Sequence, residues 1–397
     1  MRFFLIADEI FPFSHRSDLG KRVSSLAAEL ARGGNEVHAI VCAQTQVDSN
    51  DHSLARRLRP IEVHVGDRTV PWHRYDGRLP SGVEVHLLHT EDKLDDELYA
   101  DAFARAALTT IGSAPIGEAC CISFNRECAL VPGLDANREN NIHLLVLSKN
   151  DIPKKGVNDA DAVVILGKTV GQTIERADNT EIESMRGAGR LVTLPLWGEP
   201  QNSISASGKT SAKTSFQASS GLPIRMDVPL VFFPATTGNP AVVTRTVEQF
   251  LRGDVQAAIT PGDNGVDLRD LAARYLDRLA IIPSGTPGLA AMAGSDFCVS
   301  LTDPSTTATA MSCGTIPVTT PEASECAVDL EPSLASGSGI IASDDSVDAI
   351  LEALGRSVAA FDRGEDFVNL SARIRRYAGT LTQRAQSITR LVDSLRS

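Results

Sequence analysis

The chain has 397 residues, and its 50 acidic and 38 basic side chains give a formal net charge of −12. This acidic balance, without a basic stripe, argues against a nucleic-acid partner, and no apolar run reaches the roughly 18 residues of a membrane span. The length predicts two domains. The seven cysteines include no CxxC pair and predict reduced, mostly buried thiols in a cytoplasmic protein. Because no Cys/His cluster has metal-ligand spacing, we expect no metal site and no cofactor.

Apolar runs alternate with helical patterns through the first half. We predict strands at Phe3–Ala7, Val37–Cys42, Ile61–Val65, Val83–Leu88, Ile142–Leu147, Ala162–Leu166 and Arg190–Leu194, and helices at Ser24–Arg32 and Asp95–Ile111. The stretch from Glu62 to Leu88 has turn signals at Gly66-Asp67 and around Gly82. It therefore predicts an antiparallel excursion within a mostly parallel sheet.

A segment rich in Ser, Ala, Thr and Gly follows at 201–222 and predicts a linker, with a short surface helix at Lys209–Ser219 as the alternative. The alternation then restarts. We predict strands at Leu230–Phe233, Val255–Ile259, Leu279–Ile282, Phe297–Leu301, Ile316–Thr319 and Gly339–Ala342, and helices at Val242–Arg252, Leu268–Tyr275, Thr306–Cys313 and Val347–Phe361. The last stretch, Leu381–Leu395, has apolar residues at helical spacing and predicts an amphipathic helix that packs on another element.

Two βα-rich halves predict an α/β protein with two doubly wound, Rossmann-like domains that face a cleft. The predicted boundaries are 1–200 for the first domain, 201–222 for the linker, 223–380 for the second domain and 381–397 for the terminal helix. In parallel sheets the ligands bind at the carboxyl ends of the strands. We therefore expect functional residues in the loops that follow the strands.

Several runs carry a family resemblance. Asp8–Ser14 (DEIFPFS) is followed by a polar loop and a helix, and similar runs occur at Gly294–Leu301, Cys313–Thr319 and Gly337–Ser343. Together they resemble the glycogen and starch synthases. The resemblance implies the GT-B glycosyltransferase fold, with the terminal helix crossing back to the first domain. It also implies transfer of a hexosyl unit from an ADP- or UDP-sugar to an α-glucan-like acceptor.

The first loop departs from the family pattern. The family's Lys-Thr-Gly-Gly-Leu-Gly-Asp becomes His15–Lys21 (HRSDLGK), so His15 takes the place of the phosphate-binding lysine. Asp18 adds a negative charge where a phosphate would come, although it can also serve as a helix cap. The resemblance assigns His15, Arg16 and Gly20 to nucleotide-sugar binding, with Arg16 or Lys21 as a source of the missing positive charge.

The second domain departs further. After strand Leu230–Phe233 the family places an arginine and a lysine on the diphosphate, whereas this chain has Pro234-Ala-Thr-Thr-Gly and no cation between Arg225 and Arg245. The corresponding donors would be the hydroxyls of Thr236 and Thr237, which carry no charge. Losing two cations from a diphosphate site removes several kcal/mol of transition-state stabilisation.

Two carboxylates are the candidate catalytic residues. Glu127 stands where the family has a histidine that contacts the transferred sugar. It would act as a base or nucleophile, or else form a surface ion pair. Asp303 replaces the family's ribose-contacting glutamate, and Ser305, Thr306 and Thr307 follow it at a helix start whose N–H groups would face an anion. The alternative for Asp303 is a helix N-cap.

Two functions therefore stay open from the sequence. The first is a nucleotide-sugar transferase of the glycogen and starch synthase type with altered phosphate contacts. The second is a catalytically inactive GT-B protein that binds carbohydrate or a protein partner. The four histidines between Val63 and His89 are interpreted as surface residues and not as ligands, and Trp72 as a packing residue.

Overall fold

Alternating strands and helices build two units, each around its own sheet, in a computed structural model of the chain. The first unit comprises Met1–Leu194 with Leu381–Ser397, and the second comprises Pro195–Thr380. The structure describes residues 1–13, 18–43, 54–114, 117–125, 128–148, 152–153, 155–167, 170–171, 173–174, 179–196, 206–235, 238–261, 268–283, 286–324, 327–377 and 381–396.

The first unit is built on a mostly parallel sheet. Its strands are β1 (Arg2–Ala7), β2 (Glu36–Cys42), β3 (Ala55–Arg56), β4 (Ile61–Val65), β5 (Arg68–Arg78), β6 (Glu84–His89), β7 (Ala119–Phe124), β8 (Asn141–Leu147), β9 (Ala162–Leu166) and β10 (Leu191–Leu194). Their order is β10-β9-β8-β7-β1-β2-β6-β5-β3, with β4 paired to β5. Strand β5 runs antiparallel to β3, β4 and β6, so the predicted antiparallel excursion is confirmed.

Helices flank this sheet, and one of them is formed by the end of the chain. They are α1 (Asp18–Arg32), α2 (Asp96–Gly112), α3 (Val131–Leu134), α4 (Thr180–Gly187) and, from the end of the chain, α12 (Leu381–Arg396). Helix α12 packs against α1, and Arg396 forms an ion pair with Glu118 at 3.4 Å. The terminal helix therefore returns to the first unit, as the resemblance implies.

The second unit is built on a parallel sheet. Its strands are β11 (Leu230–Phe233), β12 (Gln256–Ile259), β13 (Leu279–Ile281), β14 (Phe297–Ser300), β15 (Ile316–Thr319) and β16 (Ile340–Ile341), in the order β13-β12-β11-β14-β15-β16. Its helices are α5 (Ala206–Ser220), α6 (Pro240–Phe250), α7 (Arg269–Arg274), α8 (Thr286–Gly294), α9 (Pro304–Ser312), α10 (Val347–Phe361) and α11 (Glu365–Tyr377). The reversal of strand order around β11 is typical of a doubly wound fold.

The linker prediction for 201–222 is wrong over most of its length. Residues 206–220 form helix α5, which packs against α8 within the second unit. The face formed by Lys213, Phe216 and Gln217 is buried, because residues three and four apart share one side of a helix. A Cβ on Gly294 would lie 2.6 Å from the Cβ of Phe216, so the glycine permits this close helix contact.

The thiol prediction is confirmed for the described cysteines, and one histidine prediction is wrong. Six cysteines are buried, namely Cys42, Cys120, Cys121, Cys128, Cys298 and Cys313. His64 is exposed, but His86 is only 6% accessible and is therefore not a surface residue. Its strand β6 lies between β2 and β5, which cover both of its edges.

A buried acid–base pair stabilises the first unit. Nε2 of His143 lies 2.9 Å from Oδ2 of Asp135, and both side chains are almost completely buried. Burial by itself raises the pKa of Asp135, but hydrogen bonds from His143 and Asn141 outweigh it and lower the pKa to about 2. The carboxylate form of Asp135 therefore stabilises the folded state at pH values above about 3.9, which is the pKa of an aspartate in the unfolded chain. That contribution is lost as the pH falls through the folded value.

We predict that this pair makes the unfolding free energy depend on acid pH. Between pH 5 and pH 2 the pair should lose about 1–2 kcal/mol, and Asp135→Asn should remove that part of the slope. Urea unfolding at a series of pH values measures it. Asp92→Asn, at an exposed carboxyl, is the control and should keep the wild-type slope. An unchanged slope in Asp135→Asn would contradict the assignment.

Candidate functional site

Asp303 and the residues after it form a helix cap at the carboxyl end of β14. Oδ1 of Asp303 accepts hydrogen bonds from the N–H and hydroxyl of Ser305 at 2.9 and 2.8 Å. Oδ2 accepts from the N–H and hydroxyl of Thr306 at 3.2 and 2.7 Å. Each carboxylate oxygen therefore already accepts two hydrogen bonds from the first turn of α9, which is the arrangement of an N-cap.

This cap affects how the start of α9 can bind an anion. Two of its first N–H groups donate to Asp303, and the carboxylate adds a negative charge where the helix end would otherwise be positive. The side chain of Thr307 is fully buried, and its hydroxyl has no hydrogen-bond partner among the described residues. The structure thus brings Asp303, Ser305 and Thr306 together in a local hydrogen-bond network.

The loops at the carboxyl ends of the second sheet contain no basic residue. These loops are 234–239, 260–268, 282–285, 301–303, 320–326 and 342–346, and none of them includes a lysine or an arginine in the sequence. Acidic residues occur in four of them, including Asp263, Asp303, Glu322 and Asp344. Within these loops, two phosphoryl groups would meet only neutral hydroxyl and N–H donors.

Several predicted site residues lie outside the described residues. These are His15, Arg16, Glu127, Thr236 and Thr237. Gly20 is described, and it lies in the first turn of α1, where its carbonyl accepts a hydrogen bond from the N–H of Phe11 at 3.1 Å. This bond joins the start of α1 to the chain that leaves β1.

The first unit contains a cavity of about 670 Å³ at the carboxyl ends of β1 and β2. Asp8 follows β1, and Cys42, the last residue of β2, contacts the hydroxyl of Tyr99 at 2.8 Å between Sγ and oxygen. Among the described residues of its lining, the acidic ones are Asp8, Asp95, Asp96, Glu97 and Asp101, and the basic one is Lys155. Sequence reasoning did not select this group, although Asp8 belongs to the quoted DEIFPFS run.

The chemistry of this cavity suits hydroxyl groups better than phosphates. Carboxylates accept hydrogen bonds from sugar hydroxyls, whereas several negative charges near one another repel an anionic ligand. One carboxylate oxygen of Asp95 already has a partner, since its Oδ1 caps α2 by accepting a hydrogen bond from the N–H of Leu98 at 2.9 Å. Tyr99 and Phe103 add aromatic surface to the wall. The cavity therefore combines polar acceptors with an apolar face.

The two parallel-sheet units with their returning terminal helix define a protein with the GT-B glycosyltransferase fold. More particularly, residues 2–123 match the family model of the starch synthase catalytic domain. No curated protein is significantly similar in sequence to the chain. None of the described helices is long and apolar enough to cross a membrane.

Solved structures share the fold over the whole chain. The catalytic domain of starch synthase IV from Arabidopsis thaliana, bound to ADP and acarbose, has a TM-score of 0.78 and 14% identity, with 100% of this chain and 99% of that chain covered. Sucrose-phosphate synthase from Thermosynechococcus elongatus has a TM-score of 0.61 and 14% identity over 99% and 98% of the two chains. A UDP-forming trehalose-phosphate synthase from Burkholderia vietnamiensis has a TM-score of 0.58 and 9% identity over 100% and 97%.

Proposed function

We propose that the chain is a starch synthase-like glycosyltransferase that transfers a hexosyl unit from a nucleoside-diphosphate sugar to a glucan-like acceptor. The observation that carries this proposal is the match of residues 2–123 to the starch synthase catalytic domain. The fold shared with a starch synthase that binds ADP and acarbose supports the same donor and acceptor classes. The location is proposed to be cytoplasmic.

In this proposal the acceptor binds in the acidic cavity of the first unit and the nucleotide binds at the carboxyl ends of the second sheet. Glu127 and Asp303 are the proposed catalytic carboxylates. The proposed nucleotide-sugar contacts are His15, Arg16, Gly20, Thr236, Thr237, Ser305, Thr306 and Thr307. Because charge-assisted hydrogen bonds contribute about 1.5–3 kcal/mol each, a site without the family's two cations should bind the donor roughly 10²-fold to 10⁴-fold more weakly.

The second candidate is a catalytically inactive GT-B protein that binds carbohydrate or a protein partner. The composition of the loops in the second unit favours it, since they hold no basic residue. The capping geometry of Asp303 favours it as well, because that carboxylate is already saturated by Ser305 and Thr306. The acidic cavity of the first unit would then be the surviving carbohydrate site.

Titration calorimetry with ADP-glucose, UDP-glucose, ADP and a soluble α-glucan separates the two candidates. The transferase proposal predicts weak binding of a nucleotide sugar and incorporation of hexose into glucan. Glucan binding without any nucleotide binding would favour the inactive carbohydrate-binding protein. If the chain binds none of these ligands at millimolar concentration, the transferase proposal and its carbohydrate-binding alternative are both wrong.

A variant that keeps the helix N-cap tests whether Asp303 has a catalytic role. We predict that Asp303→Ser, which keeps a good N-cap, retains wild-type stability but loses transfer activity. Asp303→Ala should cost about 1 kcal/mol of stability. Asn179→Ala, which removes the cap of α4 in the first unit, is the matched control and should cost the same without changing transfer. Unchanged transfer in Asp303→Ser would show that Asp303 is only a cap.

A further inference from the structure

Two histidines on neighbouring strands face each other across the first sheet. His38 lies in β2 and His86 in β6, and their register pairs His38 with Glu84 and Ile40 with His86. Residues two apart in a strand share a face, so both imidazoles and Glu84 lie on the same face. Nδ1 of His38 is 3.3 Å from Nε2 of His86.

The outer nitrogen of each ring contacts a carboxylate. Nε2 of His38 is 3.0 Å from Oε1 of Glu36, and Nδ1 of His86 is 2.8 Å from Oδ1 of Asp76. A carboxylate only accepts, so these two contacts favour the tautomers in which each outer nitrogen carries the proton and each inner nitrogen presents a lone pair. Carboxylates behind imidazoles orient the rings of metal-binding histidines in the same way.

Glu84 supplies a third oxygen beside the two inner nitrogens. Its Oε2 is 3.5 Å from Nδ1 of His38, while its Oε1 is held by Arg78 at 2.7 Å. The ligand atoms of His38, Glu84 and His86 lie within 4.8 Å of one another. Two facing lone pairs repel unless a proton or a cation lies between them, so this cluster is arranged for a shared cation.

We propose that His38, His86 and Glu84 bind a divalent transition-metal ion of the Zn²⁺ class. Two nitrogens at about 2.0–2.1 Å from one tetrahedral ion lie about 3.3 Å apart, which is the separation of the two inner nitrogens. Imidazole with carboxylate suits Zn²⁺, Co²⁺ and Ni²⁺ better than Mg²⁺ or Ca²⁺.

A cavity of about 480 Å³ gives the ion a way in and an open position. His38, His86, Glu84 and Glu36 all line it. Three protein ligands leave one coordination position for water or a small ligand. The site lies near the amino ends of β2 and β6, whereas the acidic cavity lies at the carboxyl end of β2. Metal binding here therefore does not depend on the proposed transferase chemistry.

The sequence contains a matched control for this site. The tripeptide Glu-Val-His occurs at 36–38, 62–64 and 84–86. The first and third copies form the cluster, while His64 lies on β4, where its Nδ1 contacts the hydroxyl of Thr69 at 2.9 Å. The expectation of no metal site rested on ligand spacing along the chain, and ligands 48 residues apart on paired strands escape such a pattern.

The test is titration of the untagged, chelator-stripped chain with Zn²⁺ by calorimetry, and with Co²⁺ by its visible d–d absorption. We expect one equivalent of either ion to bind. Glu36→Gln, which removes the carboxylate behind His38, should weaken binding about 10–100-fold. His38→Gln and His86→Gln should weaken it more than Glu36→Gln does, and His64→Gln should bind as the wild type.

Glu84→Gln provides a variant at a part-exposed side chain and should lose the ordered Co²⁺ spectrum even if a histidine variant fails to fold. Absence of stoichiometric Zn²⁺ and Co²⁺ binding by the wild type would overturn the proposal and leave a shared proton between the rings. Equal binding in the wild type and the His38→Gln/His86→Gln double variant would overturn it as well.

Discussion

Replacement of Lys213 by methionine is expected to lower the free energy of unfolding of the second unit by about 3–5 kcal/mol. Nζ of Lys213 lies 2.6 Å from Oδ2 of Asp296, and the two side chains are 2% and 8% exposed. The ammonium also donates to the carbonyl of Val228 at 2.7 Å. Methionine keeps the volume but removes the charge, which leaves the carboxylate of Asp296 buried without its cation.

Urea unfolding followed by circular dichroism measures this effect. Arg225→Met is the matched control, because Arg225 pairs with Asp227 and Asp254 at the surface of the same unit and exposed ion pairs contribute about 0–1 kcal/mol. The double variant Lys213→Met/Asp296→Asn removes both charges and should recover part of the loss. If Lys213→Met costs no more than Arg225→Met, the buried pair does not stabilise the fold.

Strand alternation in the sequence was sufficient to predict a mostly parallel sheet in the first half and a parallel sheet in the second, but it missed a central strand. Strand β7 (Ala119–Phe124) pairs with β1 on one side and β8 on the other. Its sequence, ACCISF, mixes small and polar residues with two cysteines. A fully buried strand carries no alternation, and this short run contains only one β-branched residue, Ile122, and one aromatic residue, Phe124, to mark it as a strand.

Helix α8, which packs through small residues, was also missed, and its partner α5 was given only as the alternative to a linker. Helix α8 has the sequence TPGLAAMAG, whose proline and two glycines are loop signals in isolation. Its neighbour α5 is rich in Ser, Thr and Ala. The two helices pack closely because Gly294 presents no side chain to Phe216. Tertiary packing of this kind decides the structure and leaves little trace in local propensity.

The candidate site could be predicted in its composition but not in its geometry. The sequence alone reveals that the loops of the second unit contain no basic residue. It does not reveal that Ser305 and Thr306 donate both their N–H and hydroxyl groups to Asp303, since that depends on how α9 begins. It also does not reveal the pairing of His38 with His86, because strand register brings those residues together.

Replacement of Trp72 by alanine is expected to cost about 3–5 kcal/mol, the usual range for a large buried aromatic residue. Trp72 is completely buried in β5, and its ring lies 5.4 Å from Tyr99 and 5.9 Å from Phe103, between ring centres. The two partners belong to α2 and line the acidic cavity. The indole therefore joins the antiparallel hairpin to the helix that supplies most of the cavity's carboxylates.

Trp72→Phe separates packing from hydrogen bonding at this position. The indole N–H has no acceptor among the described residues, so phenylalanine removes a buried unsatisfied donor and keeps one ring, and we expect it to cost less than half as much as alanine. Leu58→Ala, at a fully exposed side chain, should change stability by less than about 0.5 kcal/mol. Urea unfolding measures the stability of all three variants.

Glucan titration should show weaker binding in Trp72→Ala only, because a void under Tyr99 and Phe103 lets the cavity wall collapse. Equal losses of stability in Trp72→Ala and Trp72→Phe would mean that the indole forms a hydrogen bond.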